Sequence, residues 1–289
     1  MQQHSSEMDF SGSESWIILS PIEASIKRKI EAVGTPLKDW DIQINYGIKT
    51  GYNDAFIITT EKRDEILANC KDADEKKRTA ELIRPILRGR DIKRYGYEWA
   101  GLWLINTHNG VRGRIERIHI EDYPAVKAHL DTYWNKISTR SDKGDTPYNL
   151  RNCAYLEDFY KPKICWASVG ESYYSLIPAD KMLLDTNYFF AVDNPEYLLG
   201  FLNSKLIIYW INSEDTQIGN GGAYRHYKYN LEKLRIPQSI EQRDFLIDLV
   251  KQYIISPTNE ADYHINNLIY KIYNLSEEEI GFIECVITH

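Results

Sequence analysis

Ile83-Arg84-Pro85-Ile86-Leu87-Arg88-Gly89-Arg90-Asp91-Ile92-Lys93-Arg94-Tyr95 sets apolar residues inside a run of cations. Ile86, Leu87 and Ile92 read as anchors to a folded core, leaving the arginines to face outward. A guanidinium can fork onto phosphate oxygens or onto the O6 and N7 of guanine. Gly89 permits a sharp turn or a close backbone approach at the centre of the run. A basic surface loop that binds nothing has the same composition, and the residues alone leave both readings open.

Outward from this stretch the charge is segregated. Between Arg84 and Arg117 there are eight basic residues and three acidic ones, a local excess of +5 in a chain of 289 residues whose net charge is −7. From Thr258 to His289, six carboxylates face the single Lys271. The net charge disfavours a simple nucleic-acid binder, but a basic face can persist in an acidic protein. With 43% hydrophobic and 27% charged residues, the chain can bury a sizeable core. No apolar run reaches the ~18 residues of a membrane span, and Met1–Ser15 lacks the basic flank and apolar centre of a signal peptide. That start reads as a polar tail or linker. The four cysteines form no Cys-x-x-Cys pair, so reduced, buried thiols and a cytoplasmic location are expected.

Apolar periodicity divides the rest. Trp16–Val33 predicts a helix opening at Ser20-Pro21 and ending at Gly34. Ile42, Ile44 and Tyr46 alternate with polar residues, and Ala55–Ile58 follows, which predicts two strands joined by the loop Gly47-Ile48-Lys49-Thr50-Gly51-Tyr52-Asn53. Short helices are expected over Lys62–Leu87, strands at Leu102–Ile105, Lys163–Ala167 and Tyr188–Val192, and helices over Tyr123–Ile137 and Pro195–Asn212. Gly219–Gly222 reads as a flexible loop, and helical periodicity dominates from Ile240 onward. The fold class is α+β: a mixed-sheet body with inserted helices over 16–237, after a tail at 1–15, followed by a helical segment at 238–289 that packs on the body or on a partner.

Catalytic motifs are missing from the sequence. The seven histidines form no His-Glu-x-x-His, and no phosphate loop or nucleophile elbow occurs. The only Asn-Pro, Asn194-Pro195-Glu196, lacks the second proline and the aromatic that an adenine amino-methyltransferase uses. Asp74-Glu75-Lys76-Lys77 is too compact for a metal nuclease and reads as a solvated helix face. No metal site and no catalytic centre are therefore expected in this chain.

Two further segments suit nucleic-acid contact. The loop at Lys49, Thr50, Tyr52 and Asn53 offers a cation, a hydroxyl, an aromatic face and an amide. Asparagine can pair with adenine N6 and N7, yet Asn and Gly also favour plain turns. Asn220, Tyr224, Arg225 and Lys228 interleave basic and aromatic residues after the glycines, which suits a groove, a flipped base or an ordinary mobile loop.

Across these segments the chain resembles the TaqI-like C-terminal specificity domain, the target-recognition domain of N6-adenine DNA methyltransferases and type IIG restriction-modification enzymes. The resemblance runs from about Trp16 to about Glu284. Gly47–Phe56 follows the family's Gly-x-x-Thr-Gly-x-Asn-x-Ala-Phe, and Pro85–Ile92 its Pro-x-Leu-Arg-Gly-x-Asp-Ile. Pro162-Lys163-Ile164, Leu202-Asn203-Ser204-Lys205, Leu234-Arg235-Ile236-Pro237 and the closing Leu268–Ile280 also fit. The resemblance implies a reader of double-stranded DNA serving a methyltransferase or nuclease domain or subunit. S-adenosylmethionine, with Mg as a further candidate, would belong to that catalytic partner and no cofactor to this chain. Arg88, Arg90, Lys93 and Arg94 would hold phosphates, and the Lys49–Asn53 and Asn220–Lys228 loops would reach base edges. A protein-interaction module that docks the catalytic partner without reading DNA is the main alternative. An RNA binder and an unrecognised nuclease are lesser ones.

Overall fold

The computed structural model describes residues 19–288, so the polar start and Trp16 lie outside the described residues. The α+β class holds. Helix Pro21–Ala32 begins where Ser20 and Glu23 form a reciprocal capping box, and it ends before Gly34.

A four-stranded antiparallel sheet runs through the middle in the order Asn45–Tyr46, Asn187–Ala191, Lys163–Ala167, Ser175–Ile177. It is buried on both faces, which explains why Lys163–Ala167 reads as an unbroken buried run rather than an alternating one. Ile164, Trp166 and Phe190 face one core; Cys165, Ile177 and Phe189 face the other.

The first core is closed by the helices Pro195–Leu202, Lys205–Glu214, Arg243–Ile255, Asn259–Ile272 and Glu277–Thr288 together with the N-terminal helix. Leu246, Val250, Ile265, Ile269 and Ile283 of the C-terminal helices enter it beside the strand residues. Gly200 gives the room for this, since a Cβ there would lie 2.9 Å from Val250 Cγ2. The second core lies under a mixed sheet ordered Ile57–Thr59, Leu102–Ile105, Ile83–Leu87, Met182–Leu183, with only the last pair parallel. Helices Thr60–Ala68, Ala73–Leu82 and Pro124–Asp131 carry residues of that core.

Several expectations are corrected. The strands flanking Gly47–Asn53 belong to different sheets, because Asn53–Phe56 forms a helical turn between them. Ile83–Leu87, expected at the end of a helical stretch, is an interior strand. The apolar run Pro195–Asn212 is two helices, because the Ser204 hydroxyl caps the second and the Asn203 amide exchanges two hydrogen bonds with the Tyr174 backbone. Glu75 is buried instead of solvated; it accepts the amides of Lys71 and Ala125, each at 2.9 Å. The thiols are free, but only Cys165 is buried; Cys70 and Cys153 are partly covered and Cys285 is exposed. Among the described residues no helix is long and apolar enough to cross a membrane.

Lys163 is fully buried, and its ammonium donates to the carbonyls of Phe159 (2.7 Å), Lys161 (3.0 Å) and Pro178 (3.2 Å). Burial pushes it down to about 8 from 10.5. Between those values the unfolded chain binds the extra proton, so stability from this residue rises with pH, by about 2 kcal/mol from pH 7.5 to 9.5. Tyrosine ionisation in the unfolded chain works oppositely. The expected result is therefore a difference: urea unfolding of the wild type gains on Lys163→Met across this window. Parallel profiles would refute it.

Candidate nucleic-acid interface

The turn Leu184–Asn187 joins three segments that are far apart in sequence. Leu183 O accepts Ile48 N–H at 2.6 Å, Asp185 N–H donates to Ile48 O at 3.0 Å, and Gly47 N–H donates to Asn187 O at 2.9 Å. These bonds fix the Lys49 loop. Gly47 is required there, because a Cβ would lie 1.9 Å from Leu184 O. Gly89 N–H donates to Thr186 Oγ1 at 2.9 Å, which holds the arginine segment on the same turn. Ser168 N–H donates to Thr186 O at 2.8 Å, and His226 N–H to Ser168 O at 3.0 Å. Those bonds bring in the hairpin Thr216–Ile218 and Ala223–Arg225, whose second strand also pairs with Val169–Gly170.

On the first loop, Lys49 is half-exposed and pairs with Asp142 at 3.0 Å; Arg151 reaches the other Asp142 oxygen at 3.3 Å. The Lys49 hydrogen bond, with both cations nearby, keeps the Asp142 carboxyl below its ordinary range. Thr50 is buried, and its hydroxyl donates to Asn53 Oδ1 at 2.5 Å, so it shapes the loop. Tyr52 packs against Tyr133, with ring centres 6.1 Å apart, and Asn53 is exposed. Arg140 lies beneath, buried, with its guanidinium on the carbonyls of Thr50, Pro147 and Asn149.

The arginine segment divides by pairing and exposure. Arg88 grips buried Asp91 with two side-chain bonds, at 3.0 and 2.7 Å, and that partner raises its pKa further. Arg94 bonds Asn203 O and Asp262 Oδ1, the latter at 2.6 Å, and lies against the Tyr95 and Tyr253 rings. Arg90 is exposed and has no ion-pair partner among the described residues. Lys93 is exposed and only loosely paired, 3.6 Å from Glu98. Arg90 and Lys93 line a cleft of about 300 Å³ with Val169, Gly170, Glu171 and Tyr173, so this segment and the hairpin's neighbouring strand share one depression.

On the hairpin, Asn220 is exposed at the tip and Arg225 is exposed on the second strand without an ion-pair partner among the described residues. Tyr224 is partly covered, with its ring stacked 6.5 Å from that of His226. Lys228 begins the next helix, 3.5 Å from Glu232. The hairpin base is locked by Asp215, whose carboxylate is completely covered and accepts His226 Nδ1 at 2.7 Å and Asn230 Nδ2 at 2.8 Å.

The structure thus gathers the three sequence-predicted segments around one turn. The TaqI-like C-terminal specificity domain matches residues 84–237, more than half of the chain. The chain belongs to that family. The type II methyltransferase M.PaeR7I of Pseudomonas aeruginosa is 22% identical over 276 residues, covering 93% of this specificity-domain chain and 44% of its own length. The chain therefore spans less than half of that curated relative. Two solved structures share the fold. The type IIL restriction-modification enzyme MmeI, solved in complex with DNA, has a TM-score of 0.59 and 12% identity, over 86% of this chain and 35% of its own. The type IIG restriction endonuclease BpuSI has a TM-score of 0.54 and 13% identity, over 88% and 33%.

Sequence reasoning missed Tyr46, Arg140, Arg151 and Thr186 in this specificity domain. The Arg88–Asp91 pairing was the one available signal, since a cation and an anion three residues apart in a tight turn can close on each other. Thr186 carries no charge or motif that would single it out.

Proposed function

We propose that this specificity domain reads double-stranded DNA for an adenine-specific methyltransferase or restriction-modification enzyme whose chemistry lies in another domain or subunit. Convergence of the Lys49 loop, the Arg90–Lys93 segment and the Arg225 hairpin on the turn at Leu184–Asn187 carries this reading. Arg90, Lys93, Lys49, Arg225 and Lys228 are the cations accessible enough to meet phosphates, and phosphate contacts fix register before bases are read. Asn53, Asn220 and Tyr224 are the side chains offered to base edges. Arg88 and Arg94 act as positioning residues, because their side chains are largely covered and each is closed on a carboxylate, at 2.7 and 2.6 Å, whereas Lys49 keeps half of its side chain exposed beside Asp142. S-adenosylmethionine, and Mg where a nuclease is attached, belong to the catalytic partner. Residues 16–237 form the reader and 238–289 a helical segment closing its core.

The test is duplex retention from a randomised pool, followed by salt titration of the Arg90→Ala/Lys93→Ala/Arg225→Ala variant. A short enriched motif is expected. The slope of log K against log salt should become shallower by about 2–3 in the triple variant, since each phosphate contact contributes roughly 0.9. An unchanged slope would remove these cations from the interface. A second reading has its own support: Phe245, Ile255 and Tyr263 are exposed on the C-terminal helices, with Ile255 85% accessible. If no duplex is retained even at low salt, a module that only docks a protein partner is the better account.

A further inference from the structure

A cleft of about 610 Å³ opens beside the Lys49 loop, within the ~300–1,000 Å³ range of small-molecule sites. One wall is Tyr46, which is 50% exposed although it sits on a strand of the central sheet. Its ring is braced from behind: Tyr188 lies 4.9 Å away, and Tyr188 stacks on buried Trp166 at 5.5 Å. Tyr155 supplies a second aromatic surface and is itself packed on Phe159 and Phe189. Polar groups of both kinds line the same space. Asn106 is buried; its amide donates to Tyr160 Oη at 3.1 Å, but its Oδ1 has no partner. His108 Nδ1 accepts the Gly110 amide at 3.2 Å, which leaves Nε2 as the donor, and burial keeps the ring neutral by lowering its pKa. Lys49 and Arg151 also line the cleft, drawn to one place by their shared Asp142.

We propose that this cleft receives one unpaired nucleotide extruded from the bound duplex, its base against Tyr46 and its phosphate between Lys49 and Arg151. A flat ring with donors and acceptors on its edge matches the aromatic walls and the free Asn106 oxygen and His108 nitrogen. Lys49 and Arg151 share Asp142, and Asp185 also lines the cleft, but both cations keep half or more of their side chains exposed and can meet the anionic link at the rim. Aromatic stacking is tolerant of base identity, so the slot holds an extruded base without dictating its sequence. The inference rests on the DNA-reading proposal above.

The experiment compares a perfect duplex with the same duplex carrying a central one-nucleotide bulge, using the full chain at low salt. The bulged nucleotide is 2-aminopurine, whose emission reports stacking. The wild type should bind the bulged duplex about tenfold more tightly and quench its emission. Tyr46→Ala should bring the two affinities together, while the perfect duplex still binds. Arg151→Ala should reduce the preference through the phosphate, and it carries the test if Tyr46→Ala fails to fold. Equal affinity of the wild type for both duplexes would overturn the cleft assignment and leave DNA reading standing. Binding of neither duplex would overturn DNA reading itself.

Discussion

Arg140→Met is expected to lower the unfolding free energy by about 3 kcal/mol and to reduce duplex affinity at least tenfold under conditions where the variant remains folded. Arg140 is buried, and its guanidinium is shared among the Thr50, Pro147 and Asn149 carbonyls while lying 4.3 Å from the Phe56 ring centre. Burial pulls its pKa down to about 10, so it is charged at neutral pH. Methionine keeps the packing on Phe56 but leaves the Thr50 and Pro147 carbonyls without a donor, while Asn149 O keeps the Gly144 amide. An unsatisfied buried acceptor costs ~1–3 kcal/mol, partly recovered by relaxation. The Thr50 carbonyl is the inner support of the Lys49–Asn53 loop, so the loop should loosen with it. Arg140→Lys keeps the charge without the planar fork and should fall between the two. Urea denaturation and a duplex-binding isotherm decide the matter; a Met variant as stable as the wild type would show that the loop is held by its other contacts alone.

Asp215→Ala should cost a similar amount, about 3 kcal/mol, through the hairpin. The carboxylate is fully enclosed and satisfies His226 Nδ1, Asn230 Nδ2 and, at 3.3 Å, the Tyr227 amide. Its removal takes the acceptor from His226 Nδ1 and the Tyr227 amide, while Asn230 Nδ2 keeps only Glu214 O, and His226 Nε2 already has no partner. Buried polar groups without hydrogen bonds are among the larger single sources of instability. The hairpin should then detach from Ser168 and open, exposing Gly219–Gly222 to protease. Faster cleavage there, with the rest of the chain intact, is the expected readout. An unchanged cleavage rate would show that strand pairing with Val169–Gly170 suffices.

Much of the fold was legible because burial on both faces leaves a strong mark. Lys163–Ala167 and Leu102–Ile105 are short apolar runs, and Ser20-Pro21 with Glu23 is a complete helix start. Ile83–Leu87 was not legible as a strand, since Arg84 and Pro85 interrupt the run and only its neighbours at 102–105 and 182–183 make it one. The break at Asn203-Ser204 was hidden for a related reason: the helix is divided by a side chain that bonds the Tyr174 backbone, about thirty residues earlier and just before a strand. For the site, the cationic segment was plain but its division of labour was not. Arg88 and Arg90 are two residues apart and chemically identical, yet one is fastened to Asp91 and the other is open. Which of two arginines is free depends on the geometry of a tight turn. The turn that unites the loops offered no signal, because most of its bonds run through backbone atoms that every residue possesses.

That last feature bears on how such a surface can change over generations. Gly47, Ile48, Leu183, Ser168, Thr186 and His226 hold the loops chiefly through main-chain N–H and C=O groups; the Thr186 hydroxyl is the exception, and Gly47 is constrained by the lack of room for a Cβ. Exposed positions such as 49, 90, 93, 220 and 225 can therefore be exchanged while the frame beneath them stays intact. Change at the rim and retention of the scaffold become separable, so, on the DNA-reading proposal, new target preferences would be reachable by side-chain replacement alone.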